Sequence, residues 1–167
     1  MFLKKKTNQQ KKEFVEHHFI FIEVPVELVA PQALLWSQSG WWPESSLQYV
    51  AASLNFQQGT QVQKKISLLM GPRWELEVTK LTDYEIEWTY RKGIIKGVES
   101  LRVEGRSNGT RIDYELRGSI KGLFPKILWM FYFKKVHARS LQKILTALKA
   151  SVIAKYDSLR TRHEEGN

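Results

Sequence analysis

Three aromatic residues and one acidic residue have the types and spacing that could form a polar site inside a folded domain. Trp88, Tyr90 and Tyr114 alternate with polar and charged neighbours, so each is expected on the buried face of a strand. Glu99 lies two residues before Leu101 and four before Val103, and alternate residues of a strand lie on the same face. Its carboxylate would therefore face the buried side as well. Phenol hydroxyls donate hydrogen bonds or protons, and carboxylates accept them. Such groups could anchor a ligand or transfer a proton.

Two charged residues have an orientation that alternation leaves open. Glu99 has the parity of Leu101 and Val103, but a bulge near Gly97 would turn it outward. If it faces inward, it needs a partner or a raised pKa, and it becomes a candidate polar anchor. Lys64 either faces the interior or extends its charged end to water at the end of a strand.

The residues that several common kinds of catalytic or metal site require do not occur in this sequence. There is no cysteine, which excludes disulfides, thiol catalysis and thiolate metal sites. His17 and His18 are adjacent on a predicted strand and point to opposite faces, while His137 and His163 are isolated, so we expect no metal site. The hydrolase, phosphate-loop and zinc-protease motifs do not occur, and no cofactor is expected.

Seven segments predict strands of an antiparallel sheet. Residues 13–24 are rich in β-branched and aromatic residues and read as the first strand. Between residues 50 and 117, apolar and polar residues alternate in six further segments that are joined by short turns, and Asn108–Gly109 is a strong hairpin signal. The alternation predicts an antiparallel meander in which one face of the sheet is buried and the other is exposed to solvent.

Helical patterns precede and follow the meander. Pro31 predicts a short helix over residues 32–38, and a second helical turn is expected near residues 44–46. Residues 123–160 predict one long helix with an apolar stripe. Its heptad-spaced line reads Phe124, Phe131, Ala138, Leu145, Val152 and Leu159.

The order of elements carries a resemblance to a known family. The shared features are Trp42–Pro43 after the first helix, Gly59–Thr60 before a strand, Trp74 to Val78, the hairpin at Asn108–Ile112 and the long last helix. Over about residues 14–160, the chain resembles the START-like, or SRPBCC, superfamily, which includes Bet v 1-like, polyketide cyclase-like and lipid-transfer proteins. The resemblance implies an α+β helix-grip fold, with a curved antiparallel sheet of about seven strands around the C-terminal helix.

The resemblance also implies a deep, mainly apolar cavity between sheet and helix. Such a cavity would bind or transfer a hydrophobic small molecule, such as a lipid, a quinone or a polyketide-like compound. One alternative is a cyclase- or dehydratase-type enzyme in which Tyr90, Tyr114 or Glu99 serves as proton donor or base. A second alternative is that these side chains only fill the core and have no functional role. The expected ligand-binding residues are Trp74, Trp88, Tyr90, Glu99, Leu101, Val103, Ile112, Tyr114, Leu116 and Phe131.

Charge divides the chain into a mildly acidic middle and two basic flanks. Residues 1–12 carry five lysines and no acid, and we expect a disordered basic arm there, followed by a domain over residues 13–162 and a tail over residues 163–167. Residues 121–156 carry eight basic residues and no acid. This polarity suits an anionic membrane surface or, less well, a nucleic acid, and it also fits a merely solvated helix face.

One segment has more apolar surface than a core-facing helix needs. Residues 127–133 are apolar around the full circumference, so they must meet the core, a partner subunit or lipid. The residues expected to contact a membrane or partner are Lys126, Trp129, Tyr132, Lys134 and Lys135. No run is long enough to span a bilayer, so we expect a cytoplasmic monomer or homodimer, with peripheral membrane contact as an open alternative.

Overall fold

A computed structural model of the chain describes residues 13–36, 40–45, 47–51, 56–67 and 71–165. The basic arm expected over residues 1–12 lies outside the described residues, as do the last two residues of the expected tail. Residues 163–165 of that tail continue the last helix.

Seven strands form one antiparallel sheet in the order β1-β7-β6-β5-β4-β3-β2, which confirms the predicted meander. The first strand, β1, pairs with the last, β7, so it lies at the opposite edge from β2. The sheet is curled into a half-barrel. The strands are β1 (Phe14–Ile22), β2 (Leu47–Ala51), β3 (Gln61–Ile66), β4 (Arg73–Leu81), β5 (Glu85–Lys92), β6 (Ile95–Arg106) and β7 (Gly109–Ile120).

Alternation explains the two longest strands, β6 and β7, which pair along their full lengths. The hairpin turn lies at Ser107–Asn108, one residue before the predicted pair, and Gly109 opens β7 with φ near 153°. A side chain at Gly109 would place its Cβ 2.3 Å from the carbonyl oxygen of Ile22. Glycine is therefore required here because the β1 end approaches the hairpin closely.

One helix, rather than two, follows β1 in the described residues. Helix α1 (Val26–Leu34) begins directly after Pro25, so the expectation that it starts at Pro31 is wrong, and Pro31 lies inside it. The second predicted turn is also wrong, because residues 42–45 are not helical, and Ser46 lies outside the described residues. The helix begins early because the segment Val26–Leu34 packs its Val29, Ala30 and Ala33 into the core.

The long C-terminal helix is confirmed, but it is not uniformly α-helical. It runs through α2 (Leu123–Leu128), a π-helical segment (Trp129–Phe133) and α3 (Lys134–Glu165). A π-helical turn accommodates an extra residue, so it rotates the helix before it relative to the helix after it. The heptad line drawn from Leu145 back to Phe124 is therefore broken at this segment.

The core lies between the concave face of the sheet and the C-terminal helix. From the helix, the fully buried apolar side chains are Leu141, Ile144, Leu145, Leu148 and Val152. Helix α3 contacts β1. Helix α1 contacts both β6 and α3, so it lies between the sheet and the long helix. The large side chains on the sheet's inner face are Trp74, Leu76, Val78, Ile86, Trp88, Tyr90, Leu101, Ile112, Tyr114 and Leu116.

Candidate functional site: a buried polar cluster around Lys64

Six polar side chains from five strands and one helix meet inside this core, and we refer to them as the Lys64 cluster. Five of them lie on the inner face of the sheet, because each has the parity of a buried apolar neighbour on its own strand. The sixth, His137, comes from α3. The members are Tyr49 (β2), Lys64 (β3), Tyr90 (β5), Glu99 (β6), Tyr114 (β7) and His137 (α3).

The centre of the cluster is an ion pair with no exposure to solvent. Lys64 Nζ lies 2.5 Å from Glu99 Oε2, and both side chains are 0% exposed. Two tyrosine hydroxyls donate to the same carboxylate: Tyr90 to Oε2 at 2.7 Å and Tyr49 to Oε1. Glu99 is therefore held by one ammonium group and two phenols, which is the partnering that a buried carboxylate requires.

The ammonium group of Lys64 also contacts three neutral groups. Its Nζ lies 3.0 Å from the Tyr90 hydroxyl, 3.2 Å from the Tyr114 hydroxyl and 3.0 Å from His137 Nε2. The rings of Tyr49 and Tyr90 lie 5.0 and 5.6 Å from Nζ, within the range of cation–π attraction. The cation is thus surrounded by acceptors and aromatic faces, and its side chain has no exposure to solvent.

His137 connects the cluster to a second carboxylate on β1. His137 Nδ1 lies 3.0 Å from Glu16 Oε1, and His18 Nε2 lies 2.9 Å from the same oxygen. A carboxylate accepts, so Nδ1 of His137 donates to it, and Nε2 is left to accept from Lys64 or Tyr114. The contacts therefore assign a neutral His137 with its proton on Nδ1.

Burial and mutual contacts shift the pKa values of these groups in a consistent way. Burial lowers the pKa of Lys64, although Glu99 opposes the shift, and burial together with Lys64 lowers the pKa of His137. Burial acts to raise the pKa of Glu99, but the charge of Lys64 and the hydrogen bonds from Lys64 and Tyr49 outweigh it and hold that pKa below its usual range. Burial and the nearby Glu99 charge raise the pKa values of the three tyrosines well above their ordinary range.

Glu16 shows the same competition at the edge of the cluster. Burial acts to raise its pKa, but hydrogen bonds from His137 and His18 lower that pKa to about 2. Its second oxygen, Oε2, is buried and has no hydrogen-bond partner among the described residues. An unpaired buried oxygen of this kind is uncommon in folded proteins.

Tryptophan side chains surround the cluster and present unpaired donors. The indole N–H groups of Trp74, Trp88 and Trp129 are buried and find no acceptor in the described part of the chain. Their rings pack on cluster members: Trp74 on Tyr90 at 6.3 Å, Trp88 on Tyr49 at 6.3 Å and Trp129 on His137 at 5.8 Å between centroids. Trp36, whose ring stacks on Tyr114, has a fourth such N–H group, and four donors without partners beside one polar cluster would suit a guest that brings acceptor oxygens.

The space that the resemblance assigned to a deep cavity is occupied by large side chains in the described residues. Trp36, Trp74, Trp88, Trp129, Tyr114 and Lys64 are all buried there with 2% exposure or less. Trp36 stacks on Tyr114, with 6.2 Å between ring centroids and 18° between planes. The expected hollow between sheet and helix is therefore filled, because bulky aromatic residues point inward from both sides.

A cleft of about 720 Å³ lies beside this interior, between α1 and the turn that joins β4 to β5. Glu27, Thr82, Asp83 and Tyr84 contribute to its polar rim. Phe56 connects it to the core, since its ring contacts that of Trp88, which in turn contacts Tyr49. The apolar residues that line it are Ala30, Pro31, Leu34, Leu35, Phe56 and Leu81.

The structure places nine of the ten expected ligand-binding residues inside. Tyr90, Glu99 and Tyr114 meet in the Lys64 cluster, with Trp74 and Trp88 packed against it. The remaining inward residues, Leu101, Val103, Ile112 and Leu116, are buried in the apolar core. The inward placement of Phe131 is wrong: it is 68% exposed, because the π-helical segment turns it away from the sheet.

Four of the five residues expected at a surface contact have accessible side chains. Tyr132 is 52% exposed, Lys134 and Lys135 are accessible, and Lys126 is half-buried. The surface placement of Trp129 is wrong: it is 2% exposed and packs on Phe14 and Trp74. The π-helical turn brings Trp129, eight residues before His137, onto the buried side, where an unbroken helix would have placed Met130.

The sequence reasoning missed three members of the network and left a fourth open. Tyr49 has the parity of Leu47, Glu16 has the parity of Ile20 and Ile22, and His137 lies four residues before Leu141 on the buried stripe of α3. Each signal was present in the pattern. Lys64 takes the inward orientation of its two alternatives.

The described residues contain no group of three or more metal-ligating side chains that could hold an ion. Within the same residues, no helix is long and apolar enough to cross a membrane. His17 and His18 point to opposite faces as predicted, with His17 bonded to Asp113 and His18 to Glu16.

Comparison with known proteins shows similarity at the level of structure. No protein-family model and no curated protein sequence matches the chain. A Zhui aromatase/cyclase from Streptomyces sp. R1128 is similar, with a TM-score of 0.66 at 12% identity, covering 86% of this chain and 96% of that one. Norcoclaurine synthase from Thalictrum flavum, solved with dopamine and hydroxybenzaldehyde, has a TM-score of 0.64 at 10% identity, covering 92% and 95%. A protein from Thermus thermophilus has a TM-score of 0.61 at 16% identity, covering 86% and 98%.

Proposed function

Because the chain has the helix-grip fold of the START-like superfamily, we propose that it binds a small apolar molecule with an oxygen-bearing polar end, held by the Lys64 cluster. The observation that carries this proposal is the fully buried Lys64–Glu99 pair with the hydroxyls of Tyr49 and Tyr90 on its carboxylate. The pair lies in the interior at the place where the fold brings sheet and helix together.

Stability alone gives little reason for such a cluster. A buried ion pair loses hydration that its mutual attraction repays only in part, and well-packed apolar residues often stabilise a core as well or better. Six polar side chains from separate elements therefore need another reason to be here. Recognition of a polar group that enters the interior supplies one, since a desolvated cation and several hydroxyls interact strongly with it.

The donors in the interior indicate what the polar end carries. Lys64, Tyr114 and the unpaired N–H groups of Trp74, Trp88 and Trp129 are all donors, so they favour acceptor oxygens. Quinones, fatty acids and polyketide-like compounds each combine such oxygens with an apolar body. The aromatic walls would pack on that body.

We propose that the ligand reaches the Lys64 cluster through the cleft between α1 and the β4–β5 turn. Its apolar lining and its volume of about 720 Å³ suit a small organic molecule. Phe56 and Trp88 separate it from Tyr49, so a molecule that reaches Glu99 displaces these two rings. Binding therefore requires aromatic side chains to change rotamer, which is common on ligand binding.

A fluorescent probe with the proposed chemistry tests the site directly. 8-Anilinonaphthalene-1-sulfonate has an apolar aromatic body and an anionic oxygen end. We expect saturable binding to the native protein, and a loss of about tenfold or more in affinity for Lys64→Met, because a desolvated charge-assisted hydrogen bond contributes about 1.5–3 kcal/mol. Lys80→Met removes an exposed lysine of the same type and is the matched control.

A second variant keeps the test decisive if Lys64→Met fails to fold. Tyr114→Phe removes one hydroxyl and no charge, and we expect it to weaken probe binding while unfolding cooperatively. Equal probe affinity for the wild type and both cluster variants would contradict the proposal, as would probe binding that persists only in partly unfolded protein. Native mass spectrometry of the purified protein would reveal a co-purified molecule.

The second candidate is a cyclase- or dehydratase-type enzyme that uses the same cluster. The observation in its favour is that Tyr90, Tyr114 and Glu99 lie together with a lysine whose pKa is lowered by burial. In such an enzyme Tyr90, Tyr114 or Glu99 would donate a proton to the substrate or accept one from it. We expect the protein to speed deuterium exchange at the α-carbon of an aromatic ketone, measured by NMR, and an exchange rate that Glu99→Gln and Tyr114→Phe leave unchanged would count against this candidate.

A further inference from the structure

The first turns of the C-terminal helix expose a set of large apolar side chains that the proposed ligand site does not use. We call the set the helix-end patch. Its exposed fractions range from 44% to 77%, which is unusual for so many neighbouring large apolar residues. Its members are Leu123 (77%), Phe124 (71%), Ile127 (44%), Met130 (52%), Phe131 (68%) and Tyr132 (52%).

The patch extends around the helix instead of forming a narrow stripe. Met130, Phe131 and Tyr132 are consecutive and all exposed, so their side chains point in different directions. Only Trp129 is buried in this part of the helix, between Phe14 and Trp74. The helix end is therefore held against the domain by Trp129 and the partly buried Phe133, while the side chains of the helix-end patch are exposed.

We propose that the helix-end patch inserts into the surface of an anionic lipid bilayer. Lysines border the apolar side chains: Lys121, Lys134 and Lys135 are exposed and Lys126 is half-buried. Apolar and aromatic side chains flanked by lysines are the composition of a helix that lies in the interface between head groups and acyl chains. This inference goes beyond the ligand site and does not depend on it.

Charge selects a bilayer over the other occupants of this surface. Residues 121–156 carry eight basic residues and no acid, so two copies that met through their patches would bring like charges together. The chain's first twelve residues carry five lysines and no acid, so they are no better suited to cover it. An anionic bilayer complements both parts of this surface, because its acyl region accepts the apolar side chains and its head groups attract the lysines.

Vesicle flotation tests the proposal with the full chain. We expect the protein to float with vesicles of phosphatidylcholine and phosphatidylglycerol, to bind pure phosphatidylcholine much more weakly, and to lose binding as salt increases. Lys134→Gln with Lys135→Gln is expected to lower the partition coefficient about 25-fold, since each lysine near an anionic surface contributes about fivefold.

Apolar variants test insertion separately from charge. Phe124→Ser with Phe131→Ser is expected to reduce flotation at least as strongly, because two exposed phenyl groups no longer enter the acyl boundary. Phe19→Ser is the matched control, since Phe19 is a phenylalanine that is 59% exposed on β1 and lies outside both the helix-end patch and the cleft. All these residues have exposed side chains, so the variants are expected to fold.

Three results would overturn the proposal. The first is wild-type protein that fails to float with anionic vesicles at low salt. The second is flotation that the phenylalanine variant retains in full. The third is a dimer in sedimentation equilibrium that Phe131→Ser dissociates while vesicle binding is absent, because that result would assign the patch to a second copy of the chain.

Discussion

Lys64 Nζ and Glu99 Oε2 lie 2.5 Å apart although two strands, β4 and β5, separate β3 from β6. In a flat sheet, three strand spacings would place their backbones about 14 Å apart. The two side chains meet because the sheet curls and both point to its concave face. The contact therefore depends on the curvature of the whole sheet as well as on the two residues.

Removing one partner of this pair is expected to destabilise the protein strongly. Lys64→Met leaves Glu99 charged and buried, and we expect a loss of about 3–5 kcal/mol in the free energy of unfolding. The double variant Lys64→Met/Glu99→Leu should lose less than the two single variants together, because no buried charge is left alone. Urea titration of the three variants measures both effects.

An exposed pair provides the comparison for that experiment. Lys80 lies 2.5 Å from Glu85 but is 50% exposed, so Lys80→Met is expected to change the free energy of unfolding by less than about 1 kcal/mol. Losses of similar size at Lys64 and Lys80 would show that the interior is wetter than the structure indicates.

Stability is expected to fall on acidification in two ranges. Glu16 has a pKa lowered from 4.5 to about 2, so its contribution is present above about pH 4.5 and is lost as the pH falls towards 2. The shift corresponds to about 3 kcal/mol. The pKa of His137 is lowered from 6.5, so the unfolded state takes up a proton first and stability also declines as the pH falls below that value.

A variant separates these two contributions. Glu16→Gln is expected to remove the decline between about pH 4.5 and 2 that Glu16 causes, although it also replaces the charged acceptor of His137 with a neutral amide oxygen. The measurement is urea unfolding of both proteins across this range. An unchanged slope in the variant would contradict the assignment to Glu16.

The π-helical turn leads to opposite expectations for two aromatic residues only two positions apart. Trp129→Ala is expected to cost about 3–5 kcal/mol because it removes a large buried ring. Phe131→Ala is expected to change stability by no more than about 0.5 kcal/mol, since its side chain is 68% exposed. Thermal or urea unfolding of the two variants compares them; a reversed order would restore the unbroken heptad line of the sequence.

The cleft beside α1 predicts where a charge should block access to the interior. Leu81→Arg places a guanidinium at its apolar wall, and we expect anilinonaphthalene sulfonate binding to weaken about tenfold, the effect of losing about 1.5 kcal/mol of apolar burial. Val15→Arg is the control, because Val15 is 54% exposed on β1 and does not line the cleft. Equal binding by the two variants would direct the search to another route.

The alternating strands could be interpreted correctly because their period is local. Tyr90 and Tyr114 lie between polar neighbours on the outer face, so burial of one face determines the direction of each side chain. The same alternation places Glu99 inside, because β6 pairs with β7 without a bulge and Glu99 lies opposite the buried Leu116. It also holds for Glu16, which alternates in step with Ile22, whereas in β2 the apolar Val50 is 55% exposed and its neighbour Tyr49 is buried.

The C-terminal helix was less predictable because its register is not set locally. The heptad line through Leu145 and Val152 is correct within α3, but nothing in the residues 129–133 indicates that the helix widens there. The choice depends on how Trp129 packs between Phe14 and Trp74 on two distant strands. The exposed placement of Phe131 follows from that packing.

The amino-acid sequence by itself determined the order of the seven strands and the long last helix, and the inward face of strands with regular alternation such as β5 and β7, since these features depend on neighbours along the chain. The tertiary structure decided which inward residues meet, because Tyr49 and Glu99 stand four strand spacings apart and contact each other only across the concave face. It also decided that aromatic side chains fill the interior around Lys64, since packing depends on the summed volume of residues that are far apart in the chain.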